Sequence, residues 1–255
     1  MTVPAMHADA PYVSRLSARS ALYTDLRLLL DSAAPTLANA GYRTLVLDEN
    51  CLRRSSVSSR QKLWKELKGR YRLDGSDPLF AVFQSEWSRC ISEAERALTA
   101  YLLLALNDRL VADLGVHWLF DRVRSAPVEL SVDDVLLFLS RSAHGHPEVG
   151  RWSVTTTMRV AQHYLASLRD FGLAQGIQRK VTVRPALHAS PVRLLVRALS
   201  LAGLSHSDVI RSPLFRLLAL EPSDVIDALG ELNGAGALHF RMQADVIELE
   251  VEAAR

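Results

Sequence analysis

Cysteine is scarce in this chain. Cys51 and Cys90 stand far apart and form no CxxC or similar pair, so neither a disulfide framework nor a thiolate metal site is expected. Long apolar runs are missing too: the longest, Ala100 to Leu106, falls far short of the ~20 residues needed to span a bilayer. The first residues, MTVPAMHADAPYVSRL, lack the basic-then-apolar layout of a secretory signal, which points to a cytoplasmic protein. Ten prolines, twelve glycines and no repeat or low-complexity tract leave little room for disorder. Glycine-rich phosphate loops, a nucleophile elbow and an HExxH motif are all absent. No catalytic residue, cofactor or metal is therefore expected. The sharpest enzyme-like feature, His144-Gly-His146-Pro-Glu148, lies in an expected turn without a partner motif and reads better as exposed imidazoles.

What is present is an ordinary globular composition, 49% hydrophobic and 23% charged, in 255 residues rich in Leu, Ala and Arg. That length allows one large core or two to three small ones, and the composition favours helices. The expected fold is mainly α: an N-terminal helical bundle followed by two winged-helix-like units. Residues 1–17 read as a flexible arm. The bundle, 18–126, begins with the stripe Leu22, Leu26, Leu29 and Leu30. Further helices are expected over Arg43 to Leu52, about Ser59 to Tyr71, from Pro78 onward, through Leu106 after a Ser92/Glu95 capping box, and over Asp108 to Val123. Ser125-Ala126-Pro127 marks the boundary.

Residues 127–188 follow the order of a winged helix-turn-helix. Ser131 caps Val132 to Ser140, a short turn follows, Ser153 opens a long helix to Phe171, and a short basic β-segment comes next. Residues 189–255 repeat the outline, ending in strand-like runs Ala237 to Met242 and Val246 to Val251. In the second run Val246, Leu249 and Val251 alternate with Glu248, Glu250 and Glu252.

Charge is unevenly spread. The chain carries 30 basic and 28 acidic residues, yet Arg151 to Pro185 holds six cations against Asp170 alone. A recognition helix needs short polar and cationic groups at its N-terminus, where base edges are within reach. Arg151, Ser153, Thr155, Thr156, Thr157 and Arg159 meet that need, while Val160, Tyr164, Leu165 and Leu168 take the packing face. Arg179, Lys180 and Arg184 on the expected wing suit phosphate contacts. A second concentration, Arg53, Arg54, Arg60, Lys62, Lys65, Lys68, Arg70 and Arg72, is opposed within its span only by Glu66. Lys65, Lys68 and Arg72 share one helical face. The C-terminal unit has the opposite character: Glu221 to Arg255 contains eight acids and two arginines, so Asp224, Asp227 and Glu231 suit a protein partner better than a phosphate. Double-stranded DNA is thus the expected partner. The bland alternative is a protein-interaction scaffold, since winged helices also bind proteins.

Three stretches carry a family resemblance: DENCLRRSSVSSRQKLWKELKGRYRL, ALTAYLLLALNDRLVADLGVHWLFDRV and HPEVGRWSVTTTMRVAQHYLASLRDFGLAQG. Together with size and order they make the chain resemble the BrxA family, a small component of bacterial BREX phage-defence systems. The resemblance implies a non-enzymatic, mostly helical DNA-binding protein that acts beside larger BREX proteins. It also implies an N-terminal region likened to the NusB antitermination factor, which keeps RNA open as a ligand, and winged-helix elements after it. By position it carries over Asn50, Arg53, Arg60 and Lys62 in the first stretch, and Ser153, Thr155, Thr156 and Arg159 in the third. No catalytic residue transfers. Some descriptions of the family as inner-membrane proteins sit badly with this hydropathy.

Overall fold

Local capping chemistry sets most of the helix starts. Ser56 accepts from Ser59 N to open the helix at Val57, Asp77 accepts from Phe80 N with Pro78 at the first position of the next, and Ser92 accepts from Glu95 N to open the one at Glu93. The structure, a computed structural model, describes residues 10–34, 36–243 and 246–251. In chain order its first helices are α1 (Tyr23–Ser32), α2 (Asn39–Leu47), α3 (Val57–Tyr71), α4 (Pro78–Arg89) and α5 (Glu93–Asn107). The expected helix from Arg43 to Leu52 thus ends early. Asn50, at φ +54°, accepts from Arg54 N (2.7 Å) and donates to Arg54 O (3.0 Å), which winds the chain into a loop instead.

The run expected as one helix from Asp108 divides into α6 (Arg109–Asp113), a π-helical stretch Leu114–Leu119 and α7 (Phe120–Arg124). Gly115 sits in that π stretch, where a Cβ would overlap Leu217 and the Tyr101 hydroxyl. Gly115→Ala is accordingly expected to destabilise by about 1–3 kcal/mol, because strain from overpacking exceeds the gain in helix propensity. Thermal unfolding of the variant would show it, and an unchanged Tm would mean the close approach is not fixed.

Next come β1 (Glu129–Leu130), α8 (Val132–Ser142), α9 (Val154–Asp170), β2 (Ala174–Gln175) and β3 (Lys180–Thr182). The three strands form an antiparallel sheet in the order β1-β3-β2. The last part holds α10 (Ala189–Leu201), α11 (His206–Ile210), a 3-10 turn Pro213–Leu218, α12 (Pro222–Gly234) and the antiparallel hairpin β4 (His239–Gln243) and β5 (Val246–Glu250). The chain is therefore mainly helical, with small sheets of three and two strands. In β5 the inward residue is Leu249, 4% exposed, with Ile247 half-buried beside it, whereas Val246 is 66% exposed. The apolar side of the strand therefore does not include Val246. Both hairpin edges are capped by side chains: Phe240 N donates to Asn233 Oδ1 (3.0 Å), and His206 Nδ1 lies 3.0 Å from Ile247 O.

The buried apolar residues form one continuous cluster from Tyr12 to Leu249. A division at residue 188 assigns α10 to the C-terminal part, but α10 packs on α4 and α5. Glu86 of α4, with no exposed surface, accepts from Arg193 Nε (2.7 Å) and Arg197 Nη1 (2.8 Å) of α10. Glu95 does not close a capping box onto Ser92. It accepts instead from Ile91 N (2.9 Å) and from Ser190 N (3.0 Å) in the first turn of α10.

Residues 1–9 of the expected flexible arm lie outside the described residues. Residues 10–17 are packed against the fold, because Tyr12 and Leu16 are buried apolar side chains. Tyr12 Oη donates to Asp113 Oδ2 (2.8 Å), and Arg109 Nη1 donates to Ala10 O (2.8 Å).

Candidate nucleic-acid interface

The start of α9 is built by its own hydroxyls. Ser153 Oγ accepts from Thr156 N (3.1 Å) and lies 2.9 Å from Thr156 Oγ1, while Thr157 Oγ1 donates to Ser153 O (3.1 Å). Ser153, Thr156 and Thr157 therefore hold the helix start. Thr155 and Arg159 are left exposed on the outward side, without a side-chain partner among the described residues. Gln162 continues that outward line at helical spacing. Val154, at the first helical position, is 84% exposed. Periodicity from Thr155 would have found Gln162; Val154 carries no signal in the sequence. The opposite face, Val160, Tyr164, Leu165 and Leu168, is buried as its spacing predicts.

The second basic concentration separates into inward and outward members. Leu63, Trp64, Leu67 and Tyr71 turn α3 toward the core, and Lys62, Lys65, Lys68 and Arg72 stand exposed on the other side. Arg70 is only 1% exposed: it pairs with Glu66 and donates to Arg15 O (3.0 Å) and Arg19 O (2.8 Å). Arg54 pairs with Asp25, and Arg60 donates to Leu47 O at the end of α2. Those three guanidiniums tie the bundle together. Arg53, at φ +51°, is exposed, with no ion pair among the described residues.

The two segments, more than eighty positions apart in sequence, meet at one groove. It has a volume of about 590 Å³ and runs between α3 and the N-terminal segment, with Lys65, Glu66 and Gly69 on one wall and Tyr12, Val13 and Arg15 on the other. Trp152, the residue before the cap of α9, closes one part of it. Arg151 is exposed beside it.

The β2–β3 hairpin is more self-contained. Gly176 holds φ +96°, and a Cβ there would overlap Arg179 O, so only glycine fits the turn. Arg179 forms a two-pronged pair with Glu129 of β1, at 3.2 and 3.0 Å. That pairing holds Glu129 below the usual carboxylate range. Lys180 Nζ donates back to Ile177 O (3.0 Å), and Ile177 itself is 78% exposed at the tip. Arg184 is exposed past β3 and faces Asp224 of α12 electrostatically. The hydrogen bond from Glu221 N, with Arg124 and Arg184 nearby, keeps the Asp224 carboxyl low. Asp224 is thus neutralised inside the molecule, whereas Asp227 and Glu231 are exposed with no cationic partner among the described residues.

The histidine turn departs from the expectation of exposed imidazoles. His144 is exposed, but the His146 ring stacks on Tyr12 at 3.6 Å with 8° between planes, and its Nδ1 lies 3.1 Å from Glu148 Oε1. Among the described residues no group of three His, Cys, Asp or Glu is placed to hold a metal ion, and no helix is long and apolar enough to cross a membrane.

Comparison with known proteins places the fold. The model of the BrxA family matches residues 10–198, a stretch that takes in α1 through α9 and most of α10. Curated proteins give no match. A crystal structure of an uncharacterized protein from Magnetospirillum magneticum is similar with a TM-score of 0.59 at 14% identity, covering 80% of this chain and 98% of that one. At that identity the likeness concerns the fold alone.

Proposed function

The chain belongs to the BrxA family, accessory proteins of BREX phage defence, and from that premise we propose that it binds double-stranded DNA without catalysing a reaction. The observation that carries the reading is the groove lined by Lys65 of α3 and by Trp152 just before α9, with Lys62, Lys68 and Arg72 exposed on the same helix as Lys65, and Arg151 and Arg159 exposed on either side of the α9 start. In this reading α8 and α9 act as a helix-turn-helix and the β2–β3 hairpin as its wing. The strand order β1-β3-β2 around α8 and α9 supports it. Thr155, Arg159 and Gln162 would face base edges, with Val154 offering an apolar contact for a thymine methyl. The exposed lysines would hold backbone phosphates and so set position rather than sequence preference. Arg179 enters already paired with Glu129, so its part is smaller than that of Lys65 or Arg159.

A titration of fluorescent duplex DNA with purified protein tests this. Wild type is expected to bind at micromolar concentration or better in low salt, and the double variant Arg151→Ala/Arg159→Ala to bind about tenfold more weakly. Absence of binding by wild type at low salt would remove duplex DNA as the ligand. The second reading, a scaffold for other BREX proteins, would then lead. It draws on exposed, unpartnered Asp227 and Glu231, and loss of a BREX partner on reversing those two charges would establish it. RNA enters through competition: structured RNA displacing duplex of equal length would move the ligand to that class.

A further inference from the structure

We infer that the groove between α3 and the N-terminal segment is a seat for an unpaired nucleotide, with the Trp152 indole as its stacking surface. The inference deepens the DNA-binding reading by naming a second form of the same ligand. A duplex held only by its phosphates needs an even cationic surface. What the fold provides here is different: a depression of about 590 Å³, ample for one nucleotide, whose lining includes Trp152 and Val13 and, among its polar groups, Arg15, Lys65 and Glu66.

The tryptophans point the same way. Of the four in the chain, Trp64, Trp87 and Trp118 are buried. Trp152 alone is half-exposed, and it lines this groove rather than open surface. An aromatic face beside cations is what single-stranded nucleic acid recognises, because every base has a π-face and every nucleotide a phosphate.

The charges are arranged to suit. Arg15 is 41% exposed and lies 3.6 Å from Asp108, a buried carboxylate, so it keeps one side toward the solvent while anchored on the other. Lys65 has no ion pair among the described residues. Glu66 is held by Arg70, which removes most of its repulsion toward a phosphate. Gly69, one turn beyond Lys65, keeps the wall low: a Cβ there would meet only the Arg15 side chain, at 3.9 Å. The groove also adjoins the start of α9. A base displaced from a duplex lying along that helix, or one at a strand end or flap, would reach Trp152 without leaving the cationic surface.

The test uses the full chain and two kinds of probe. An oligothymidylate of about six nucleotides is expected to quench the tryptophan emission of wild type, with Trp152 as the accessible indole. Trp152→Leu, which keeps apolar bulk on the core side, should remove the quenching. It should also weaken binding to a duplex with a short single-stranded overhang by about 10- to 100-fold, the range seen on losing one stacked base, while leaving a blunt duplex unaffected. Trp152→Phe should retain most of the preference for the overhang. No quenching of wild type, or equal weakening of blunt and overhang duplexes by Trp152→Leu, would overturn the inference. Quenching by the oligonucleotide without any affinity for blunt duplex would instead overturn the duplex-binding reading and leave the nucleotide seat standing.

Discussion

Glu86→Ala is expected to lower the free energy of unfolding by about 3–5 kcal/mol, the usual cost of leaving a buried charge without its partner. The carboxylate has no exposed surface, and it answers Arg193, 9% exposed, and Arg197, 18% exposed. Its removal leaves Arg193 with Ser190 Oγ and Arg197 with Ser85 Oγ in place of a counter-charge, and takes away the one anion that joins α4 to α10. Against a typical total of about 5–15 kcal/mol, that loss leaves a marginal protein. Because the core is continuous from Tyr12 to Leu249, unfolding of α10 cannot stay local. Denaturation followed by near-ultraviolet and far-ultraviolet signals should give one shifted transition. A triple variant with leucine at 86, 193 and 197 should recover much of the stability, since apolar replacement of a buried ion cluster is often neutral or better. A loss below about 1 kcal/mol for Glu86→Ala would show that the triad is not the tie it resembles.

The second large effect lies in salt. Each phosphate neutralised on duplex DNA contributes about −0.9 to the slope of log affinity against log salt. With Lys62, Lys65, Lys68, Arg72 and Arg151 engaged on phosphates, the slope should be about −4.5, so raising salt from about 50 to 200 mM weakens binding by about 500-fold. Replacing Lys62, Lys65 and Lys68 with alanine should make the slope shallower by about 2.7. Arg54→Ala, equal in formal charge per residue, should leave it unchanged, because that guanidinium is spent on Asp25. A slope altered as much by Arg54→Ala as by Lys65→Ala would mean that pairing inside the fold does not decide which cations meet DNA. Single-condition affinities would hide this difference.

That contrast shows where sequence reading reaches its limit. Helix existence and the core faces followed from periodicity and caps: Ser92, Ser131 and Ser153, read as helix starts, do cap the helices that follow them, whereas the caps Ser56 and Asp77 were not foreseen. The outward lysines of α3 were equally visible, being three and four residues apart. What local pattern could not reveal was partnership across the chain. Arg54 and Arg60 look like Lys65 in a list of charges, but Asp25 and Leu47 O lie far from them in sequence. The same holds for Arg179, whose partner Glu129 is fifty positions away and is brought near by the pairing of β1 with β3. Trp152 read as part of a turn, and only the approach of the N-terminal segment makes it the side of a groove. Long-range pairing also explains the position of α10: its own sequence is an ordinary amphipathic helix, and the buried carboxylate that claims it lies on α4.

The lodging of α10 against α4 and α5 has a consequence for how the protein is made. Synthesis runs from the N-terminus, so the first five helices emerge from the ribosome long before the helix that covers them. Until residue 201 is clear of the exit tunnel, the apolar face meant for Val192, Leu195 and Leu199 is open to water, and Glu86 waits for its arginines. Folding of the N-terminal bundle is therefore completed late, in one step with the last quarter of the chain, and a ribosome stalled before α10 releases a sticky product rather than a finished domain.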